Sequence, residues 1–387
     1  MKTALLVGAN LRAMFWVARK LWQQSWSVDI VDFEPLPIQN SKYIRHYHKV
    51  EQTNNFSELT NKILTLAKNG KYNAIIPIND VGVLACNSVS DLLKQYTNVI
   101  IPSKNAVKYA QDKYKLLNLS LKHGFANPKT IYVETKEDLQ NIIDKIPNSV
   151  IVAKSCCSKK INNETICSYS AFKTSNKTEL LKRFDNANEF PIMIQQCISG
   201  TEIGYNFYAE NGNVKTSYFD KFYRGSFGTE STSRQSLPFD NNLANKINAL
   251  IKSIEWNGVG MFDIIISNTN VYILELNGRF WASVDLSGKI QSGLWEQYAN
   301  YNLDTKLNIP KPTNKIITIV NATALLKNVV KNCFKLRNFK ETILLLTDML
   351  KAMFSRRFFI QEKFLCDFGF YAKLHFHYIQ KLFNHDH

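Results

Sequence analysis

The stretch that decides the reading is ILELNGRFWASVDL, residues 273–286. It begins as an apolar strand, yet Glu275, Asn277 and Arg279 stand two apart, and an extended chain points alternate residues to one face. A carboxylate, an amide and a guanidinium side by side are costly to bury without partners. Upstream, MFDIIISNTNVYILEL reads as a hairpin turning at Asn268–Asn270,. Pairing across that turn sets Asp263 opposite Glu275. Two opposed carboxylates repel unless a cation sits between them. With the amide oxygen of Asn277 they make a hard-oxygen set suited to Mg²⁺, which takes one or two carboxylates and completes its shell with phosphate and water. Arg279 is placed to hold a phosphoryl or carboxylate oxygen.

Working outward, the chain opens as a βαβ unit: the strand TALLV, the helical LRAMFWVARKLWQQ, then the strand VDIVDF,. Only Gly8 of a GxGxxG fingerprint is present, so a dinucleotide site is not expected there. Helices near 56–68 and 81–95 alternate with the strands NAIIPI (73–78) and NVIIPS (98–103). A helix over 105–123 stops at Gly124. The strands TIYV (130–133), SVIVAKS (149–155) and PIMIQQCI (191–198) follow, with a helix over 136–145 between the first two. Then come a hairpin over 203–220 turning at Asn211-Gly212, and a helix over 240–256. Strands separated by helices, then antiparallel hairpins, predict an α/β domain followed by an α+β domain. From 327 to 365 the sequence reads as basic amphipathic helix, which either packs on the body or lies on an anionic membrane.

Other residues carry chemistry. Lys154 ends the apolar strand SVIVAK, where a charge implies an anion; Lys113, in YAQDKYKLL, reads alone as a solvated helix lysine. In IQQCISGTE (194–202), the amides of Gln195 and Gln196 suit a purine edge, Ile198 an apolar lid and Glu202 the ribose hydroxyls.

Strand-end Lys154, IQQCISGTE and the terminal D…ELNGR, in that order, resemble the ATP-grasp superfamily of carboxylate–amine/thiol ligases. IPSKNAVKYAQDKYKLLNLSLKHGFANP resembles the segment that opens the grasp fold there. The resemblance covers residues 3 to 305. It implies an open parallel α/β pre-grasp domain (1–104), a two-lobed ATP-grasp domain (105–193 and 194–310) and a C-terminal helical region (311–387). It implies Lys113 and Lys154 on the ATP phosphates, and Gln195, Gln196, Ile198 and Glu202 around adenosine. Asp263, Glu275 and Asn277 would hold Mg²⁺, with Mn²⁺ as an alternative, and Arg279 would steady an acyl phosphate. The segment 218–236 looks like the substrate-side loop, with Arg224 and Arg234 as carboxylate clamps. The implied reaction joins a small-molecule carboxylate to an amine with release of ADP. A thiol acceptor, or a nucleotide-binding relative without turnover, is the alternative. One departure stands out: where the family has a glycine-rich phosphate-covering loop, SCCSKKINNETICSY (155–169) has no glycine, and Lys159 and Lys160 are candidates to supply charge instead.

The composition agrees with this frame. The 387 residues are 45% hydrophobic, enough for two or three cores,. A net charge of +16 suits phosphate-bearing ligands or an anionic membrane, but the basic residues form no nucleic-acid motif, so no nucleic acid is expected,. Seven cysteines without CxxC spacing point to a reducing, cytoplasmic setting,. Cys156 and Cys157 are read as incidental to the chemistry. No run of 18 uncharged apolar residues predicts a membrane-spanning helix.

Overall fold

The computed structural model describes residues 1–8, 11–33, 37–224, 232–330, 339–361 and 367–373. A first sheet of five strands, β1 (Thr3–Val7), β2 (Ser27–Asp32), β3 (His46–Lys49), β4 (Ala74–Pro77) and β5 (Asn98–Val99), runs in the order β3-β2-β1-β4-β5. All its pairings are parallel. Both faces are covered, as a parallel sheet requires. One face packs with helix Leu11–Trp22 into a core that includes Phe280, Trp281 and Trp295; the other packs on helices Phe56–Lys68 and Asp80–Ser88.

The middle of the chain contributes β6 (Thr130–Val133), β7 (Ile151–Ser155), β8 (Lys159–Asn162), β9 (Thr165–Ser168), β10 (Phe172–Thr174) and β11 (Ile192–Gln196). Four of these form a small sheet, β10-β7-β11-β6, while β8 and β9 pair only with each other. The largest sheet has seven strands: β12 (Thr201–Glu210), β13 (Asn213–Arg224), β14 (Ser233–Ser236), β15 (Gly258–Ser267), β16 (Asn270–Asn277), β17 (Thr318–Val320) and β18 (Phe358–Ile360), in the order β16-β15-β12-β13-β14-β17-β18.

The structure differs from the expectations in three places. The helix expected over 105–123 breaks into Lys104–Gln111 and Lys113–Lys122. Asp112 takes an extended backbone, and its side chain accepts from the backbone N–H groups of Tyr114 and Lys115, so it caps a new helix,. Lys113 therefore stands at a helix start and is buried, not solvated. The strand expected over 98–103 pairs only at Asn98–Val99, although Ile100 and Ile101 stay buried. The region after 310 is not purely helical. Before and after helices Ala322–Val330 and Phe339–Phe354 it lends β17 and β18 to the large sheet. Parts of the amphipathic stretch (331–338 and 362–366) and of the expected substrate-side loop (225–231) lie outside the described residues.

Candidate active site

The large sheet has two unlike faces. On one, Ile203, Tyr205, Phe207, Phe219, Phe262, Ile264, Ile273 and Leu276 form a core beneath helix Asn241–Ser253. The other carries Glu202, Gly204, Asn206, Asp220, Asp263, Glu275 and Asn277. Registration across four strands sets Asp220, Gly204, Asp263 and Glu275 in a single row. The hairpin turn places Asp263 opposite Glu275, as the sequence implies. The pairing is not uniform, however. Ile264 faces Ile273, so Leu274 is an extra residue, a bulge that lets Ile273 join the core while Glu275 joins the polar face,.

Around the acid pair the charges interlock. Asn277 Nδ2 donates to Asp263 Oδ2 at 3.1 Å, and Arg279 Nη2 donates to Asn277 Oδ1 at 3.1 Å. Lys113 Nζ lies 3.0 Å from Glu275 Oε1, with Ser158 bridging the two. Arg279 Nε donates to both carboxylate oxygens of Asp80, the first residue of helix Asp80–Ser88, at 3.1 Å. Gly278, between Asn277 and Arg279, admits no Cβ: Trp256 lies 2.7 Å from where it would stand. Asp263 Oδ1 is shut from solvent and has no hydrogen-bond partner. Burial, reinforced by the neighbouring Glu275 carboxylate, pushes the Asp263 carboxyl up to about 7,. An orphaned acid oxygen facing a second carboxylate fits a divalent cation. No group of three or more His, Cys, Asp and Glu side chains converges among the described residues, so such a cation would draw the rest of its shell from Asn277, water and phosphate,.

The small sheet supplies the opposite wall. Lys154 pairs with Met193 and Val152 with Gln195 across β7 and β11, so Lys154, Met193 and Gln195 share the face turned toward helix Lys113–Lys122. The Lys154 side chain makes no hydrogen bond or ion pair among the described residues. Burial, then the nearby Lys113 cation, lower its ammonium to about 8. Gln195 is buried and donates from Nε2 to Thr130 Oγ1 at 3.0 Å. Gln196 is exposed and, by strand alternation, points the other way,. Ile198, just past the strand, and Glu202, on the polar face of β12, are half-buried. Burial holds the Cys156 thiol up at about 12 and also raises Cys157, so neither is a thiolate at neutral pH,.

The glycine-poor loop folds as the β8–β9 hairpin, turning at Asn163 and Glu164, both with positive φ. Lys160 reaches back to the backbone carbonyls of Asn188, Glu189 and Phe190, whereas Lys159 lines a narrow cleft with Asp80, Ser158 and Glu275.

The two candidate clamp arginines part company. Arg224 pairs with Asp348 of helix Phe339–Phe354, away from the acid row. Arg234 lies on the polar face, paired with the fully buried Asp220 and stacked on Phe222 with its guanidinium 4.1 Å from the ring centroid. Gly204 keeps this crossing open, since a Cβ there would meet Asp220 Oδ1 at 2.4 Å. Beside them Asn206 is fully buried with neither amide atom partnered. Asp80, Ser158, Asp220 and Asn206 escaped the sequence reading. Only Asn206 carried a local signal, a polar residue in the apolar run IGYNFYA.

No family model matches the sequence, and no curated protein matches it. Solved structures do resemble the fold. N5-carboxyaminoimidazole synthetase from Staphylococcus aureus complexed with ADP aligns with a TM-score of 0.62 at 14% identity, over 86% of each chain. The biotin carboxylase domain of Hydrogenobacter thermophilus 2-oxoglutarate carboxylase, in complex with MgADP, aligns with a TM-score of 0.61 at 13% identity. That match covers 79% of this chain and 70% of that one. The L-amino acid ligase from Bacillus licheniformis aligns with a TM-score of 0.59 at 12% identity, over 81% and 75%. These alignments give this chain the fold of the ATP-grasp enzymes.

Proposed function

We propose that the protein is an ATP-dependent ligase that activates a small-molecule carboxylate as an acyl phosphate and couples it to an amine. The observation that carries the reading is the Asp263–Glu275 pair with its orphaned oxygen, ringed by Lys113, Lys154 and Arg279. Without nucleotide these charges neutralise one another: Lys113 holds Glu275 and Arg279 holds Asp80. With Mg·ATP they re-pair. Asp263, Glu275 and Asn277 would hold the metal, which would supply positive charge to the polyphosphate. Lys113 and Lys154 turn to the phosphates, Gln195 and Ile198 border the adenine and Glu202 the ribose.

A substrate carboxylate oxygen then bonds to the γ-phosphorus as the bond from phosphorus to the β,γ-bridging oxygen breaks, and ADP leaves. The amine attacks the acyl carbon, phosphate departs and the amine's proton is lost to solvent. Arg279 steadies the oxygens of the transferring group, so positioning and electrostatics supply the catalysis. No side-chain nucleophile is needed. Asn206, Asp220 and Arg234 line the same face on the next three strands, β12, β13 and β14, where the substrate would lie.

The test is Mg²⁺-dependent ADP release over a panel of carboxylates with amine or thiol acceptors. Turnover with one pair, lost in Asp263→Asn, is the expected result. ADP binding by calorimetry without turnover on any pair would instead identify a nucleotide-binding protein that does not catalyse.

A further inference from the structure

Helix Phe339–Phe354 is amphipathic in the reverse sense for a globular body. The side packed against the protein carries Thr342, Leu345 and Asp348, and Asp348 receives the Arg224 guanidinium. The side facing outward carries Phe339, Ile343, Leu346, Leu350 and Phe354, which are 64%, 63%, 40%, 54% and 80% exposed. Steps of four, three, four and four residues lay these five along one stripe of the helix. Leu326, on the preceding helix Ala322–Val330, is also exposed. Exposed apolar residues scattered singly are ordinary, but a continuous line of them marks a binding surface.

The surrounding charge says what kind. Lys340 at one end of the helix and Arg356 and Arg357 just past the other are exposed. Among the described residues from 311 onward, eight Lys and Arg stand against three Asp and Glu. A second copy meeting this stripe would bring like charges together, whereas an anionic surface would complement them. No helix among the described residues is long and apolar enough to cross a membrane, so any contact lies along the surface.

We propose that this stripe seats the protein on an anionic lipid bilayer, with the helix lying in the interfacial plane. The five apolar side chains enter the acyl boundary, and Lys340, Arg356 and Arg357 meet the headgroups. The surface is independent of the ligase reading, since none of its residues belongs to the candidate active site.

The test is co-sedimentation of the full chain with extruded vesicles. Vesicles of phosphatidylcholine containing a third phosphatidylglycerol should pull the protein down, and pure phosphatidylcholine should not. Binding should weaken as salt rises. Ile343→Glu with Leu350→Glu should abolish it. Arg356→Gln with Arg357→Gln, which leaves the stripe intact, should weaken it about fivefold per charge removed. Circular dichroism and nucleotide binding should be unchanged in both double variants. Failure of the wild-type chain to sediment with anionic vesicles would overturn the proposal. So would undiminished binding by the Ile343→Glu, Leu350→Glu variant, or light scattering that shows a dimer which this variant dissolves.

Discussion

Two hairpins meet at Glu275 and are built in opposite ways. The β15–β16 hairpin has strands of ten and eight residues inside a seven-stranded sheet, one face covered by a core and the other by its own charge network. The β8–β9 hairpin has two four-residue strands and no third. An isolated ribbon of that size is marginal in water. It holds its place by docking on the first domain. Ile166 enters that domain's core, the backbone N–H of Ile166 donates to Asn54 O at 2.9 Å, and that of Phe56 donates to Glu164 O at 2.7 Å. One hairpin is a preset wall; the other is a cover whose position depends on contacts elsewhere. Changes in the wall should therefore alter chemistry or folding, and changes in the cover should alter closure alone.

The sharpest break comes at the wall. Asp263→Asn should cut Mg²⁺-dependent ADP release by about a thousandfold in steady-state assays. The same variant should melt higher than wild type at pH 8 when metal is absent. The sign follows from a folded-state carboxyl near 7, against an ordinary value of 3.8. Stability is full below about pH 4 and is lost as pH rises through 7, and an amide does not titrate. Next in size, Arg234→Met leaves Asp220 buried and uncompensated and should cost about 3–5 kcal/mol in denaturant unfolding. Arg234→Met with Asp220→Leu should recover most of that loss.

At the cover, Ile166→Asp should raise the KM for ATP by about tenfold through lost closure. Its unfolding midpoint should stay close to wild type while proteolysis near 159–168 quickens. A large loss of stability in this variant would erase the contrast between the hairpins. The smallest effect concerns Lys154, whose ammonium sits near 8. ATP affinity measured by calorimetry should fall severalfold as pH rises above 8, because the neutral amine no longer attracts phosphate. Lys154→Arg should flatten that fall.

How much was legible follows from the range of each cause. The opposition of Asp263 and Glu275 follows from a turn a few residues away, so the hairpin register was readable. The bulge at Leu274 was not, since either of two registers satisfies the apolar pattern and packing against the core selects one. Lys113 was misplaced because Asp112 fits both mid-helix and cap positions, and only the fold shows it capping. Arg224 and Arg234, ten residues apart, look alike in sequence. Their partners, Asp348 and Asp220, are chosen by strand order in the sheet. Asp80 lies 199 positions from the arginine it meets, beyond any local pattern.

That last contact has a consequence in terms of linkage. The Arg279 guanidinium donates at once to Asp80, to Asn277 and to the Phe280 carbonyl, so a phosphoryl oxygen can claim its Nε only by displacing Asp80. On the proposed reading, Asp80 and the transferred group would thus be competing ligands for one cation. By reciprocity, whatever tightens the first domain's grip on Arg279 must loosen its hold on phosphate by the same factor. On the proposed reading, a carboxylate beside the first sheet would thereby tune the affinity of a nucleotide site built on the large one.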